Sequence, residues 1–333
     1  MDLSILVVTY NTKDLVDKCI QSVLSYSGHY QIEIIIVDNN SEDGTSEFIR
    51  KTFPTVKLIK NKFNYGFAVG MNQAYKLAIG KYVMTFNPDA EINNSSIDAA
   101  IGFLDTNPNT GLLGMLTEDT FGSVEVPSHE FYLIGQIETI RLFSMKTKQP
   151  ERITKEVIAV EWIWGTSIFA RKAELGDEFF NEDNFLFWEE YWLAKKIKSQ
   201  GLKINILLKH KMLHHISASF KSDFQKLEMV RTLGDVNGHT AKLDKFGTFK
   251  TYFSYLIKTI DHLAMFLILN LLRLFKSKNV QERRLSIINH KAHFKAYFQL
   301  FIFGSSFRAR YQSHAIKALN KGSMPVYPPL IVD

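Results

Sequence analysis

Tyr82-Val83-Met84-Thr85-Phe86-Asn87-Pro88-Asp89 is the stretch that decides how this chain folds. Its first five residues are short, β-branched and aromatic, the pattern of a buried strand. Pro88 has no N–H for a ladder, so pairing should stop there. Asp89 then projects from the carboxyl end of the strand, where open α/β sheets bind ligands. A carboxylate placed there can hold a hard divalent cation, and such a cation can neutralise a diphosphate. By itself it is equally the turn carboxylate of an edge strand.

Working outward, Asn64-Tyr65-Gly66-Phe67 reads as a turn and residues 68–79 as a helix with Gly80 at its C′ position. Strands are expected at 3–8, 32–37 and 56–59, with helices between them. Asn11 or Thr12 would cap the first helix, whose apolar face makes Cys19 a small core residue. Downstream, a helix at 97–104, a strand at 110–116, a strand signal over 158–170, a helix from Glu189-Glu190 to Gly201 and a strand at 203–208 follow. Residues 118–157 show no period and read as a loop or lid with some helix. Strand-helix alternation with short connections implies a mainly parallel sheet. Polar clusters after the first, second and fourth strands would line one crevice. No Gly-x-Gly-x-x-Gly follows the first strand and no P-loop occurs, which sets aside dehydrogenases and P-loop nucleotide hydrolases.

The chain has 333 residues, 46% hydrophobic and 22% charged, which excludes global disorder. One cysteine excludes an intrachain disulfide framework and multi-cysteine metal sites, in keeping with a reducing cytoplasm. The net charge of +6 points to anionic partners without choosing among nucleic acid, phospholipid and diphosphate. The first residues lack a basic n-region and read as a strand rather than a signal peptide.

Val8-Thr9-Tyr10-Asn11, Val37-Asp38-Asn39-Asn40-Ser41-Glu42-Asp43-Gly44, Asn64 to Phe67 through Asn72, and Asn87-Pro88-Asp89 closely resemble, in this order, the family 2 glycosyltransferases of GT-A fold. The likeness is greatest to the rhamnosyltransferase-like branch of bacterial surface polysaccharide synthesis, and it covers roughly residues 3–220. It implies a mostly parallel α/β sheet flanked by helices as a catalytic domain over 1–220, with a helical extension over 221–333. It also implies that Thr9, Tyr10, Asn11, Asp38, Asn40, Gly66, Asn72, Asn87, Asp89 and Gly165 contact a nucleotide-sugar donor. Asp38 has a competing role as a turn cap, and Asn72 as a solvated helix residue. Asn87 stands where many relatives have the first Asp of Asp-x-Asp, so a cation would meet fewer charged ligands.

Trp162-Ile163-Trp164-Gly165-Thr166 resembles the family segment under the donor sugar. Trp164 would stack on a sugar in the acceptor region, or the two tryptophans belong to the core. Glu189 and Glu190 open a helix whose dipole would keep both ionised. The family's general base maps to Glu190, with Glu189 as the alternative and as an acceptor contact. Relatives usually have Asp at this position and an acid two residues later, where this chain has Trp192. In Met212-Leu213-His214-His215, alignment through Ser217 and Ser219 selects His214 as second metal ligand.

Beyond residue 221 the chain is apolar and basic. Tyr252 to Phe275 is interrupted by Lys258, Asp261, His262 and Arg273, and Lys276, Lys278, Arg283, Arg284, Lys291, Lys295, Arg308 and Arg310 follow. This suits helices lying on an anionic membrane, or a dimerisation module, better than a span or a nucleic-acid site. The resemblance implies an inverting transferase using Mg²⁺ or Mn²⁺, dTDP-L-rhamnose as donor and a lipid-linked saccharide as acceptor, peripheral on the inner face of the cell membrane. Alternatives are another UDP-sugar as donor, or a catalytically inactive saccharide-binding scaffold.

Overall fold

The computed structural model describes residues 1–128, 156–215, 224–272 and 280–322. The expected domain boundary near 220, most of the expected lid (129–155), Ser217 and Ser219, and basic residues Arg273, Lys276 and Lys278 lie outside the described residues.

β1 (Leu3–Thr9), β2 (Ile32–Asp38), β3 (Lys57–Lys60) and β4 (Tyr82–Phe86) form the parallel half of the sheet. β5 (Ala90–Glu91), β6 (Thr110–Glu118), β7 (Val124–Glu125), β8 (Val157–Ala159), β9 (Phe169–Arg171) and β10 (Lys203–His214) complete it. The order is β3-β2-β1-β4-β9-β6-β10-β5, with β7 on β6 and β8 on β10. β9 runs antiparallel between β4 and β6, so the sheet is mixed. Pairing of β4 ends at Phe86, as Pro88 requires.

Helices α1 (Lys13–Leu24), α2 (Thr45–Thr52) and α4 (Asn94–Thr106) cover one face, over Ile5, Val7, Ile36, Met84 and Phe86. The other face carries α3 (Phe67–Leu77) and α6 (Glu189–Ser199), over Leu6, Ile35, Val83 and Ile206. A short turn of helix, α5 (Lys172–Leu175), adds Leu175 to this second layer. Period-two alternation along β1 sends Ile5 and Val7 one way and Leu6 the other, so one strand feeds two apolar layers.

Several local expectations need correction. Asn11 does not cap α1; its φ is +54° and its Oδ1 accepts the Glu42 N–H at 2.7 Å. Thr12 sits at the N-cap without a side-chain capping bond. α3 ends at Leu77, before Gly80. Gly80 is needed because a Cβ there would sit 2.6 Å from the Ser4 amide nitrogen. The single strand expected over 158–170 is interrupted: a loop joins β8 to β9. β10 runs past 208 to His214, across a register shift, because its end pairs with β5.

Three long helices follow: α7 (Phe224–Phe246), α8 (Thr248–Leu272) and α9 (Val280–Leu319), the last kinked at Gly304. A small apolar cluster of Phe185, Leu233, Ala315 and Ile316 joins α7 and α9 to the sheet unit.

Candidate active site

The strand ends that the sequence places on one edge converge. Asp38 is fully buried, and its carboxylate accepts the Ser41 N–H at 2.9 Å and the Ser46 hydroxyl. Both oxygens are thus used to brace its own turn. Neighbouring Asn39 ties the edge together: its Nδ2 donates to Gly66 O at 2.9 Å and its Oδ1 accepts from Asn61 Nδ2 at 2.8 Å. Asn40 follows with φ of +67°. The Thr9 hydroxyl bonds to that of Thr12, and the Asn11 N–H donates to Ser41 Oγ at 2.8 Å. Gly66 has φ of +88°, and a Cβ there would strike the Phe185 carbonyl. Asn72 is buried and exchanges two bonds with the Phe180 backbone, at 2.8 and 2.9 Å, besides one to Glu182. It fastens residues 180–182.

Residues 319–321 also reach this edge. Tyr10 Oη donates to Leu319 O at 3.1 Å. Asn320 accepts the Asn64 N–H at 2.7 Å and donates to Asn64 O at 3.0 Å. Lys321 pairs with Glu42 at 2.5 Å. Nothing in the local sequence marks Asn320 for this role.

Asp89 and His214 meet although 125 residues separate them. β5 pairs antiparallel with the end of β10, setting His214 opposite Ala90, and the His215 N–H donates to Asp89 O at 2.8 Å. His214 Nε2 lies 3.2 Å from Asp89 Oδ1 and 3.3 Å from Asn87 Nδ2. Two ligands of one cation, about 2.1 Å from it and at right angles, lie about 3 Å apart. The spacing of the pair is compatible with two ligands of one cation. Among the described residues no cluster of three or more His, Cys, Asp or Glu residues could hold a metal unaided. His215 turns instead to Glu91 at 2.8 Å.

The second half of the site is built around Gly165. Its N–H donates to Glu190 Oε1 at 2.7 Å, and its carbonyl accepts from Thr85 Oγ1 at 2.7 Å. Thr85 lies on β4, four residues before Asp89. Two hydrogen bonds therefore link the Glu190 carboxylate to β4, the strand that leads into the turn bearing Asp89. A Cβ on residue 165 would sit 2.7 Å from Glu190 Oε1, so only glycine permits this approach. The polar Thr85 inside an apolar strand was a legible signal of this role.

The approach to α6 is strained. Phe187 and Trp188 both have positive φ, +69° and +74°, which bulky residues adopt only when their surroundings enforce it. Trp188 stacks on Trp162 at 5.5 Å and donates to Gly234 O on α7 at 2.7 Å. Trp164 is half-buried and its backbone N–H donates to Pro127 O at 2.9 Å.

The helix dipole does not keep both acids ionised. Burial pushes Glu189 well above the usual carboxylate range, and the Glu190 charge pushes it further. Glu189 is 2% exposed, and its Oε2 has no hydrogen-bond partner among the described residues. Burial raises Glu190 too, opposed by N–H groups including that of Gly165. Both carboxyls are thus raised, and Glu190 is the one whose charged form the Gly165 N–H favours.

A model of the family named Glycosyl transferase family 2 matches residues 4–171, about half the chain. The chain belongs to that family. This glycosyltransferase is 24% identical over 242 residues to an N-acetylglucosaminyl-diphospho-decaprenol L-rhamnosyltransferase of Mycobacterium tuberculosis, spanning 66% of this chain and 78% of the relative. It is 34% identical over 105 residues to a UDP-Glc:alpha-D-GlcNAc-diphosphoundecaprenol beta-1,3-glucosyltransferase of Escherichia coli, spanning 31% and 41%. A mannosyltransferase of Pyrobaculum calidifontis, solved with GDP-Man and Mn²⁺, superposes with a TM-score of 0.53 at 14% identity, covering 90% of this chain and 87% of the other. The glycosyltransferase thus has the GT-A fold, with a helical C-terminal region.

Proposed function

We propose that this glycosyltransferase moves a sugar, with inversion, from a nucleotide diphosphate to a hydroxyl of a lipid-linked saccharide in the synthesis of a bacterial surface polysaccharide. One observation carries the reading: the Glu190 carboxylate is hydrogen-bonded through Gly165 and Thr85 to β4, the strand that leads into the turn bearing Asp89 beside His214. Inverting transfer needs a base for the acceptor hydroxyl on one side of the anomeric carbon and relief of negative charge on the other.

In this reading Glu190 accepts the acceptor proton as the hydroxyl attacks, and the Gly165 N–H holds the carboxylate in position. Asp89 and His214 would hold Mg²⁺ or Mn²⁺, which when bound neutralises the diphosphate. Thr9, Tyr10, Asn11, Asn40, Gly66 and Asn87 would shape the donor crevice, while Asp38 and Asn72 would support it from behind. Trp164 would border the acceptor, whereas Glu189, expected there too, is buried and would act only through its neighbour Glu190. The named activity of the mycobacterial relative favours dTDP-L-rhamnose as donor, and that of the Escherichia coli relative a UDP-sugar. The proposed sheet domain would end near 220, with the helical region after it.

Thermal-shift titration with dTDP-L-rhamnose, UDP-glucose and UDP-N-acetylglucosamine, with Mn²⁺ and with EDTA, tests the reading. One donor should stabilise the protein strongly, and EDTA should weaken that effect. Equal shifts with all three, unchanged by EDTA, would refute both the donor and the metal assignment.

A further inference from the structure

Helix α8 is built inside out. Phe249, Phe253, Leu256, Ile260, Leu263 and Leu267 are all exposed, between 38% and 83%, and they recur at three- and four-residue steps. With Leu271 the stripe runs about 33 Å along the helix. The opposite face, buried against the bundle, carries Lys258, Asp261 and His262, none more than 9% exposed. His262 Nδ1 lies 2.9 Å from His290 Nδ1 of α9. α9 packs an ordinary apolar face but also turns Phe298, Ile302 and Phe303 outward. Water selects the reverse partition, with charges outside and leucines inside. A continuous apolar stripe of this length marks an interaction surface.

The charge distribution names the occupant. Residues 221–333 hold 18 Lys and Arg against 7 Asp and Glu, whereas residues 1–220 hold 22 against 27. The basic surplus therefore sits entirely on the part of the chain that carries the stripe. The Arg310 guanidinium lies 5.3 Å from the Phe303 ring, the posture of a side chain that buries its stem and keeps its charge at an interface. By length and composition Thr248–Leu271 is apolar enough to cross a membrane. Its polar face, however, is committed to α9, whose own flank carries Lys291 and Lys295 paired with Glu228. A helix held in that way lies along an interface.

We propose that the exposed face of α8 docks in the plane of an anionic lipid bilayer. This deepens the reading of a lipid-linked acceptor, but it stands on the bundle alone. Docking would also orient the crevice. Trp188 Nε1 donates to Gly234 O, Asn237 Nδ2 to Leu186 O at 2.7 Å, and Arg308 to Asp183 O at 3.0 Å, tying the bundle to the loop before Glu189.

The test is vesicle flotation of the full chain with phosphatidylglycerol or phosphatidylcholine vesicles, comparing wild type with Leu263→Glu and Leu267→Glu. Wild type should float with the anionic vesicles and less with the neutral ones. Each substitution should weaken flotation about tenfold or more, while the thermal shift with donor stays unchanged and reports an intact fold. Failure of wild type to bind phosphatidylglycerol vesicles, or undiminished binding by both variants, overturns the proposal. A wild-type dimer that the substitutions disperse, without vesicle binding, assigns the face to a second copy and overturns it too. Vesicle binding with no transferase activity would leave this inference standing and count against the proposed function.

Discussion

Replacing Glu190 by Gln separates basicity from position. The amide Oε1 of glutamine can still accept the Gly165 N–H that now lies 2.7 Å from Glu190 Oε1, so side chain and backbone should stay where they are. Only the capacity to take a proton is lost. A positioned general base contributes about 10²- to 10⁴-fold, or roughly 2.7–5.5 kcal/mol of barrier at 1.36 kcal/mol per decade. Glu189→Gln is the internal control. Burial and the neighbouring charge already favour the protonated form of Glu189, and a neutral amide resembles that form. It should therefore retain activity within about threefold and raise Tm, because a buried charge is no longer at risk. Steady-state transfer, with donor and acceptor varied separately, gives kcat and KM for both variants. The expected pattern is a collapse of kcat in Glu190→Gln at nearly constant donor KM, with Glu189→Gln close to wild type. If Glu190→Gln keeps more than a tenth of wild-type kcat, or Glu189→Gln falls further than it does, the assignment of base and proton carrier is wrong.

Gly165→Ala puts a methyl group 2.7 Å from Glu190 Oε1 and 3.3 Å from the Phe67 ring; a base displaced by about 1 Å should cost about 10²-fold in kcat, measurable in the same assay. Asn320→Ala removes both bonds to the Asn64 backbone; at about 1 kcal/mol each, donor KM should rise by about tenfold or more while kcat changes little, and Asn320→Asp, which keeps the acceptor, should recover part of the loss. Stability should fall as pH drops below 6.5. Burial, with Arg308 and Lys242 nearby, lowers His239 from 6.5 to about 4 in the folded chain, so between these values the unfolded state takes up the proton. His293 acts in the opposite sense. Burial alone would lower it, but Asp235 raises it above 6.5, so its contribution is lost as pH rises through that raised value. Calorimetry from pH 4 to 8 should show Tm declining on the acid side, with a shallower decline in His239→Gln.

Much of the sheet could be read in advance because its information is local. Leu3 to Val8, Ile32 to Val37 and Tyr82 to Phe86 carry their strand signal in five or six consecutive side chains, and Pro88 states where pairing ends. Asp89 stands out as a carboxylate just past a strand end, whereas Glu190 was chosen from a helix-opening pair only through the family resemblance. The limits of local reading show equally clearly. Gly80 was expected to end a helix, yet its lack of a side chain answers to Ser4, seventy-six residues away.

The sequence by itself determined the repeating α/β pattern, the edge on which the polar clusters gather and the residue types able to do the chemistry. Only the tertiary structure decided which partners they have. Pairing of β5 with β10 brings His214 to Asp89, the Gly165 hinge joins Glu190 to β4, and Asn320 closes on Asn64 across 256 residues. It also decided that of two adjacent glutamates one is sealed from water, and that α8 turns its leucines outward. Periodicity identifies a helix's two faces, but which face is buried depends on what the rest of the chain packs against it.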